Sequence, residues 1–149
     1  MKINVKIRDE ELNALLNNLG KNAKNTESVM KDLSVYMKQQ VMENFKAEGR
    51  PEQWRPLSEK YLKYKLQKKG ASKLLEFHGK LKQSINARSS KGEARVRTGV
   101  KYGVYHQTGT KKMPARPFMP SSDVPDMPPF DDKGMQYMKR KLQEAIMNV

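Results

Sequence analysis

Cysteine is absent from the 149 residues, which excludes a disulfide scaffold, a thiolate-held zinc and thiol catalysis. Histidine is nearly absent, with only His78 and His106. Long hydrophobic runs are missing too. No apolar run exceeds three residues, so no helix of this sequence can span a membrane. The opening MKINVKIRDE alternates instead of forming an apolar stretch, so no secretory leader is expected. These absences predict a protein that folds in a reducing cytoplasm and has no dealings with a membrane. Acid is the last scarce ingredient, at 16 Asp and Glu against 30 Lys and Arg, for a formal charge of +14.

The imbalance is not spread evenly. Residues 1–49 hold 8 basic and 7 acidic side chains, and residues 120–149 hold 4 and 5. Residues 50–119 hold 18 basic against 4 acidic and so carry the whole excess. A charge concentration of this kind attracts nucleic acid, anionic surfaces or acidic proteins without choosing among them. No repeat, linker or charged tail divides the chain, so residues 1–149 read as one domain. A domain of this length buries about two-thirds of its unfolded surface. Hydrophobic residues make up 36%, a little short of the usual share even when the glycines are added.

Ile3, Val5 and Ile7 alternate with polar residues and read as a short strand. Asp9 can cap a helix carrying Leu12, Leu15, Leu16 and Leu19 and stopping at Gly20. Thr26 or Ser28 opens a second helix with the stripe Met30, Leu33, Met37, Val41 and Phe45, ending near Gly49; one bent helix over 9–48 is the alternative. The stretch RPEQWRPL has two X-Pro steps that favour extended backbone. Ser58 then caps a short helix to about Lys68, and LLEFHGKLKQSI can form another. Residues 86–89 and 94–100 flank a tight turn at Ser90-Lys91-Gly92, with 102–107 as a third strand. A last helix runs from about Asp131 to Asn148, with Met135, Met138, Leu142, Ala145, Ile146 and Val149 on one face. The class is α+β, with N-terminal helices and a C-terminal helix packed on a small antiparallel sheet, and a long proline-rich loop.

Catalytic patterns are hard to find. No nucleophile elbow, phosphate loop, dinucleotide fingerprint or HExxH occurs. Glu76 lies two residues from His78 and would point to another helical face. The acidic residues are scattered, without the carboxylate pair that hydrolysis needs. His106, in YGVYHQTG, is expected to bond a neighbouring carbonyl beside a glycine turn. No enzyme, metal or cofactor is predicted. Two segments point to binding instead. In KYLKYKLQKK, Tyr61, Tyr64, Lys65 and Lys68 share one helical face, and Leu62 and Leu66 share another. Tyrosines among lysines can hold single-stranded nucleic acid, and leucines packed inward beneath solvated lysines are ordinary amphipathicity. Prolines at 114, 117 and 120 give MPARPFMP a period of three, suited to an extended arm. Phe118 beside Arg116 would anchor that arm on a partner; the other reading folds the loop back so that Phe118 plugs the core.

Four blocks in order resemble the phage virion morphogenesis family, which includes phage tail completion proteins and Mu-like G proteins. Glu48, Gly49, Arg50, Pro51, Trp54, Pro56, Leu57 and Ser58 match its first block. Gly79, Leu81, Ser84 and Ile85 match the second, with His78 where the family usually has Thr. Tyr102, His106, Gln107 and Gly109 match the third, and Pro114, Ala115, Arg116, Pro117 and Phe118 the fourth. The matches cover about residues 45–120.

The resemblance implies a structural protein of the phage head–tail connection: a tail completion or neck protein forming a homomeric ring, of six subunits, that joins tail to head in the virion. Its partners would be copies of itself, other neck, portal or tail proteins, and DNA passing through the channel. Subunits that finish one another's cores would explain the modest apolar content. In this reading Trp54 and Leu57 lock the RPEQWRPL loop, while His106, Gln107 and Gly109 shape the turn into the proline arm. Pro114, Arg116, Pro117 and Phe118 engage a neighbouring subunit. Lys60, Lys63, Lys65, Lys68 and Lys69 face DNA or an acidic partner. The rival is a basic module that binds nucleic acid without sequence preference. A third reading is a small nuclease or RNA-cleaving toxin with His78 or His106 as base.

Overall fold

A computed structural model describes residues 10–22, 26–69, 74–75, 79–121, 124 and 126–147. The organising element is the stripe of Met30, Leu33, Met37, Val41 and Phe45, which recurs at three- and four-residue spacing and is buried along its whole length. It belongs to the 21-residue helix α2 (Thr26–Lys46). Helix α1 (Glu10–Asn22) precedes it and runs two residues past the expected stop at Gly20. Residues 23–25, the expected strand at 3–7 and the cap at Asp9 lie outside the described residues.

Two apolar clusters share α2. At its N-terminal end Met30, Leu33 and Met37 meet Leu12 and Leu19 of α1 and Met138 and Leu142 of α6 (Asp132–Met147). Tyr36 stacks on Tyr137 at 4.0 Å, and Lys139 pairs with Glu11 at 3.1 Å across α6 and α1. Asp131 Oδ1 accepts from the Gly134 N–H at 3.0 Å, which satisfies one of the unpaired donors of the first turn of α6. Val149, expected on the face of this helix, lies outside the described residues. At the other end, Val41 and Phe45 join Trp54, Leu81, Ile85, Phe118 and Met119.

The sheet is a single hairpin of β1 (Ile85–Ser90) and β2 (Glu93–Thr98), with Ile85 opposite Thr98 and Ser90 opposite Glu93. Its two-residue turn is Lys91-Gly92. Ile85, Ala87, Val96 and Thr98 face inward, and both strands pack on α2. Asn86, Arg88, Arg95 and Arg97 occupy the outer face, with Arg88 directly opposite Arg95. The molecule is α+β as expected, with three further helices: α3 (Glu59–Lys69), α4 (Lys80–Gln83) and α5 (Gly103–Thr108). Ser58 caps α3, its Oγ accepting from the Tyr61 N–H at 3.3 Å.

One element differs in kind. The third strand expected over 102–107 is the helix α5. Its buried residues are Gly103 and Gln107, spaced i and i+4, while Val104 and Tyr105 are exposed. The tyrosines and valine that suggested a strand are surface residues, and burial follows the helical period. The second helix expected in LLEFHGKLKQSI is reduced to α4; Leu74-Leu75 is a turn, and Glu76, Phe77 and His78 lie outside the described residues.

Leu142 has no exposed surface and joins α6 to α1 and α2. Leu142→Ala is expected to cost about 2–5 kcal/mol, read as a lowered urea midpoint with an unchanged slope.

Candidate functional site

The prolines of 114–120 remove backbone donors at regular intervals, so this strand-like segment cannot pair in a sheet. Its remaining polar groups are buried beside Phe45 and Trp54 and need partners. Side chains provide them. Gln107 serves three groups: its Oε1 accepts from the N–H groups of Phe118 at 3.1 Å and Met119 at 3.2 Å, and its Nε2 donates to Met119 O at 2.7 Å. Trp54 Nε1 donates to Pro117 O at 2.7 Å. Asn44 Nδ2 donates to Phe118 O at 3.0 Å and to Pro128 O at 3.2 Å. The Arg116 N–H reaches His106 O at 2.7 Å.

A second tier holds the first. Asn44 Oδ1 accepts from Arg50 Nε at 2.9 Å, and Arg50 Nη2 donates to Gln40 O at 2.8 Å. Gly49, at φ +113°, lets the chain double back so that Trp54 N–H meets Glu48 O at 2.7 Å; a Cβ there would lie 2.5 Å from Glu52 O. Gly109, at φ +75°, makes the turn into the proline segment, where a Cβ would lie 2.7 Å from Ala115 N. Trp54, Phe45 and Phe118 pack ring on ring, at 5.8 Å edge-on and 5.4 Å tilted.

The four sequence blocks therefore converge on one place, and Phe118 lies at its centre with no exposed surface. This corrects the expected arm. Phe118 offers nothing to a neighbouring subunit, and of the two readings the core plug is the one the structure takes. Arg116 is also buried, donating through Nε to Arg55 O at 2.8 Å and through Nη2 to Pro56 O at 3.2 Å. Pro114 and Pro117 are half-buried. Leu57 packs at the edge of the same cluster, Leu81 is inside it, and Pro51 and Pro56 are exposed. Gly79 precedes α4 at φ +70°.

The lysine face also needs correction. Lys65 is 2% exposed and Leu66 is 46% exposed, so α3 turns the lysine inward and the leucine outward. Lys65 is withdrawn from the outer face of α3, where contact with DNA or an acidic partner was expected. Lys60, Lys63 and Lys68 are exposed, and the Lys69 side chain lies outside the described residues. Asn44 is the residue that sequence reading missed. It sits three residues after Val41 on the buried stripe, and a polar residue at a core position is the signal that marks it.

Beside this packed centre is a groove of about 730 Å³ between α3, α4 and the start of α5. Leu57, Leu81, Met113 and Pro114 give it apolar lining, and Tyr61 and Tyr102 add rings. Arg55, Lys65, Lys80, Lys112 and Arg116 also line it, and no Asp or Glu does among the described residues. His106 projects here, edge-on to Tyr102 at 5.8 Å. Its Nδ1 is buried without a hydrogen-bond partner. Burial first, and the Arg116 charge second, hold its pKa below the usual value near 6.5. Among the described residues no group of His, Asp and Glu could hold a metal ion, and no helix is long and apolar enough to cross a membrane.

A protein whose matching motifs build a buried scaffold, and whose open surface is aromatic and cationic, belongs with structural and assembly proteins. The sequence profile of the phage virion morphogenesis family matches residues 7–142, and the chain belongs to that family. It is 33% identical over 87 residues to the Mu-like prophage FluMu G protein 1 of Haemophilus influenzae, a match covering 56% of this chain and 60% of that protein. The chain thus spans about three-fifths of the length of this curated relative. No solved structure matches it.

Two outcomes follow. Gln107→Ala leaves three buried backbone groups without partners and should cost about 3 kcal/mol or more, and Phe118→Ala about 3–5 kcal/mol. Both should lower the thermal midpoint of the subunit itself by circular dichroism. The second concerns pH. Because His106 takes up a proton less readily in the native state than in the unfolded chain, its contribution is intact above about pH 6.5. It is lost progressively as pH falls through the window below that value. His106→Gln should flatten the decline in stability between neutral and mildly acidic pH, measured as the difference from the parent protein.

Proposed function

We propose that this member of a phage virion morphogenesis family is a non-enzymatic structural protein of the head–tail connection, a tail completion or neck protein that assembles as a homomeric ring of six and joins tail to head. The observation carrying this reading is the fate of the motif residues. Arg50, Trp54, Gln107 and Arg116 are spent on backbone and side-chain partners inside the subunit, and among the described motif residues no base, acid and electrophile are grouped for chemistry. What remains outside suits docking. Tyr61, Tyr64 and Leu66 on α3, and Tyr102, Val104 and Tyr105 on and beside α5, are exposed and offer apolar area for docking. The partners in this reading are further copies of the chain, neighbouring neck, portal or tail proteins, and the DNA crossing the channel. Its place is the virion, reached by way of the host cytoplasm.

Deleting the gene from its phage or prophage should yield separate heads and tails that join when purified protein is added, and electron microscopy of that protein should show rings. Normal joined particles without the gene product would overturn the reading. Incubation with DNA or RNA and divalent metal should give no cleavage; metal-dependent cleavage abolished by His106→Ala would favour the nuclease instead.

A further inference from the structure

The groove beside α3 joins three features. Part of its lining is apolar, supplied by Leu57 and Leu81 from the edge of the packed centre and by Met113 and Pro114. Its rim carries exposed Arg55, Lys80 and Lys112, with no acidic residue among the described lining residues. His106 Nδ1 is buried in its wall without a partner. A site of about 730 Å³ holds a group of small-molecule size, which is one bulky side chain with its flanking backbone. Unbalanced positive charge around an apolar recess calls for an occupant that is apolar at its centre and anionic at both ends.

We propose that this groove is the docking site for an acidic peptide segment of a partner protein, in which one apolar or aromatic side chain enters the recess and flanking carboxylates meet Lys80 and Lys112. The apolar side chain packs between Tyr61 and Tyr102, rings that keep large contact area at low conformational cost. The recess favours a peptide over nucleic acid. A DNA duplex presents phosphates at every step and keeps its bases stacked inside, so nothing projects from it to fill the recess; a single strand is the case that the test below separates. This inference rests on the reading that the protein acts by attaching to other proteins, and it assigns that attachment a site and a chemistry.

The test uses the full chain and a short fluorescein-labelled peptide of Asp and Glu around one central Phe, followed by fluorescence anisotropy at low and moderate salt. Binding is expected, and replacing the central Phe of the probe by Ser should weaken it about tenfold or more. Lys80→Glu and Lys112→Glu should each weaken it roughly tenfold, the loss of one charge-assisted contact with added repulsion. Lys63→Glu, exposed on α3 but outside the groove, should leave it within about twofold. Circular dichroism melts confirm that each variant is folded. Equal binding of the Phe and Ser probes, or equal losses in Lys63→Glu and the rim variants, would reduce the effect to general charge attraction and overturn the proposal. An oligothymidine of matching charge that binds more tightly than the peptide, with the same dependence on Lys80 and Lys112, would make the groove a nucleic-acid site and overturn it as well. The readout needs neither rings nor particles. Peptide binding with normal joining in the deleted phage would sink the head–tail reading and spare the groove; joining that depends on the added protein, with no peptide binding, would do the reverse.

Discussion

The fold depends on how a proline-punctuated segment satisfies its backbone. Residues 114–120 pass through the apolar centre of the molecule, yet three prolines deny them a ladder of donors. Buried carbonyls and N–H groups without partners would each cost about 1–3 kcal/mol. The solution is a ladder made of side chains. Gln107 alone acts as both donor and acceptor along two successive residues, as an adjacent strand would. Trp54 and Asn44 serve the two preceding carbonyls, those of Pro117 and Phe118. Every partner must be held at its proper depth, so Asn44 is fixed by Arg50 and Trp54 by the turn at Gly49. Helix α2, the RPEQW loop, α5 and the proline segment are thereby tied into one unit, although among the described residues the only sheet is a two-stranded hairpin.

This economy shapes what the surface can do. Guanidinium groups that would ordinarily seek carboxylates or phosphates are consumed inside, Arg50 on Gln40 and Asn44 and Arg116 on two carbonyls. The interior is stiff and chemically quiet, a good platform for holding surfaces in fixed relation. Rigid carriage of docking surfaces is what membership of a virion morphogenesis family calls for.

Much of the scaffold was legible in the sequence because its signals are periodic. The stripe of α2, the apolar face of α6 and the turn at Lys91-Gly92 follow spacings that burial enforces directly. The segments that misled are those where the buried residue is small or polar. In α5 the inward positions are Gly103 and Gln107, so the exposed tyrosines and valine gave the segment the composition of a strand. In α3 Lys65 goes in and Leu66 stays out, which no hydropathy pattern anticipates. Phe118 next to Arg116 reads equally well as an anchor or a plug. The contacts that decide it come from Asn44, Trp54 and Gln107, distant in sequence and polar in character. Trp54 and Gln107, both in the blocks that carry the resemblance, meet the proline segment as a side-chain ladder, a purpose that only the structure shows.

The positive charge looks different once its carriers are placed. It does not form one stripe. Arg88 and Arg97 stand on the outer face of the hairpin, where Arg88 faces Arg95 across the register, a like-charge pairing that costs stability and is eased by Glu93, whose Oε1 accepts from Arg95 Nη2 at 2.6 Å. Lys60, Lys63 and Lys68 lie on α3, and Lys80 and Lys112 rim the groove. Charge dispersed in this way raises the rate of encounter with any anionic body and is screened by salt. It cannot by itself tell one partner from another. Discrimination needs shape and apolar area, and among the described residues the groove combines both with cations. In the docking proposed for the groove, the broad excess and the local recess act at different steps, the first gathering acidic partners and the second selecting among them.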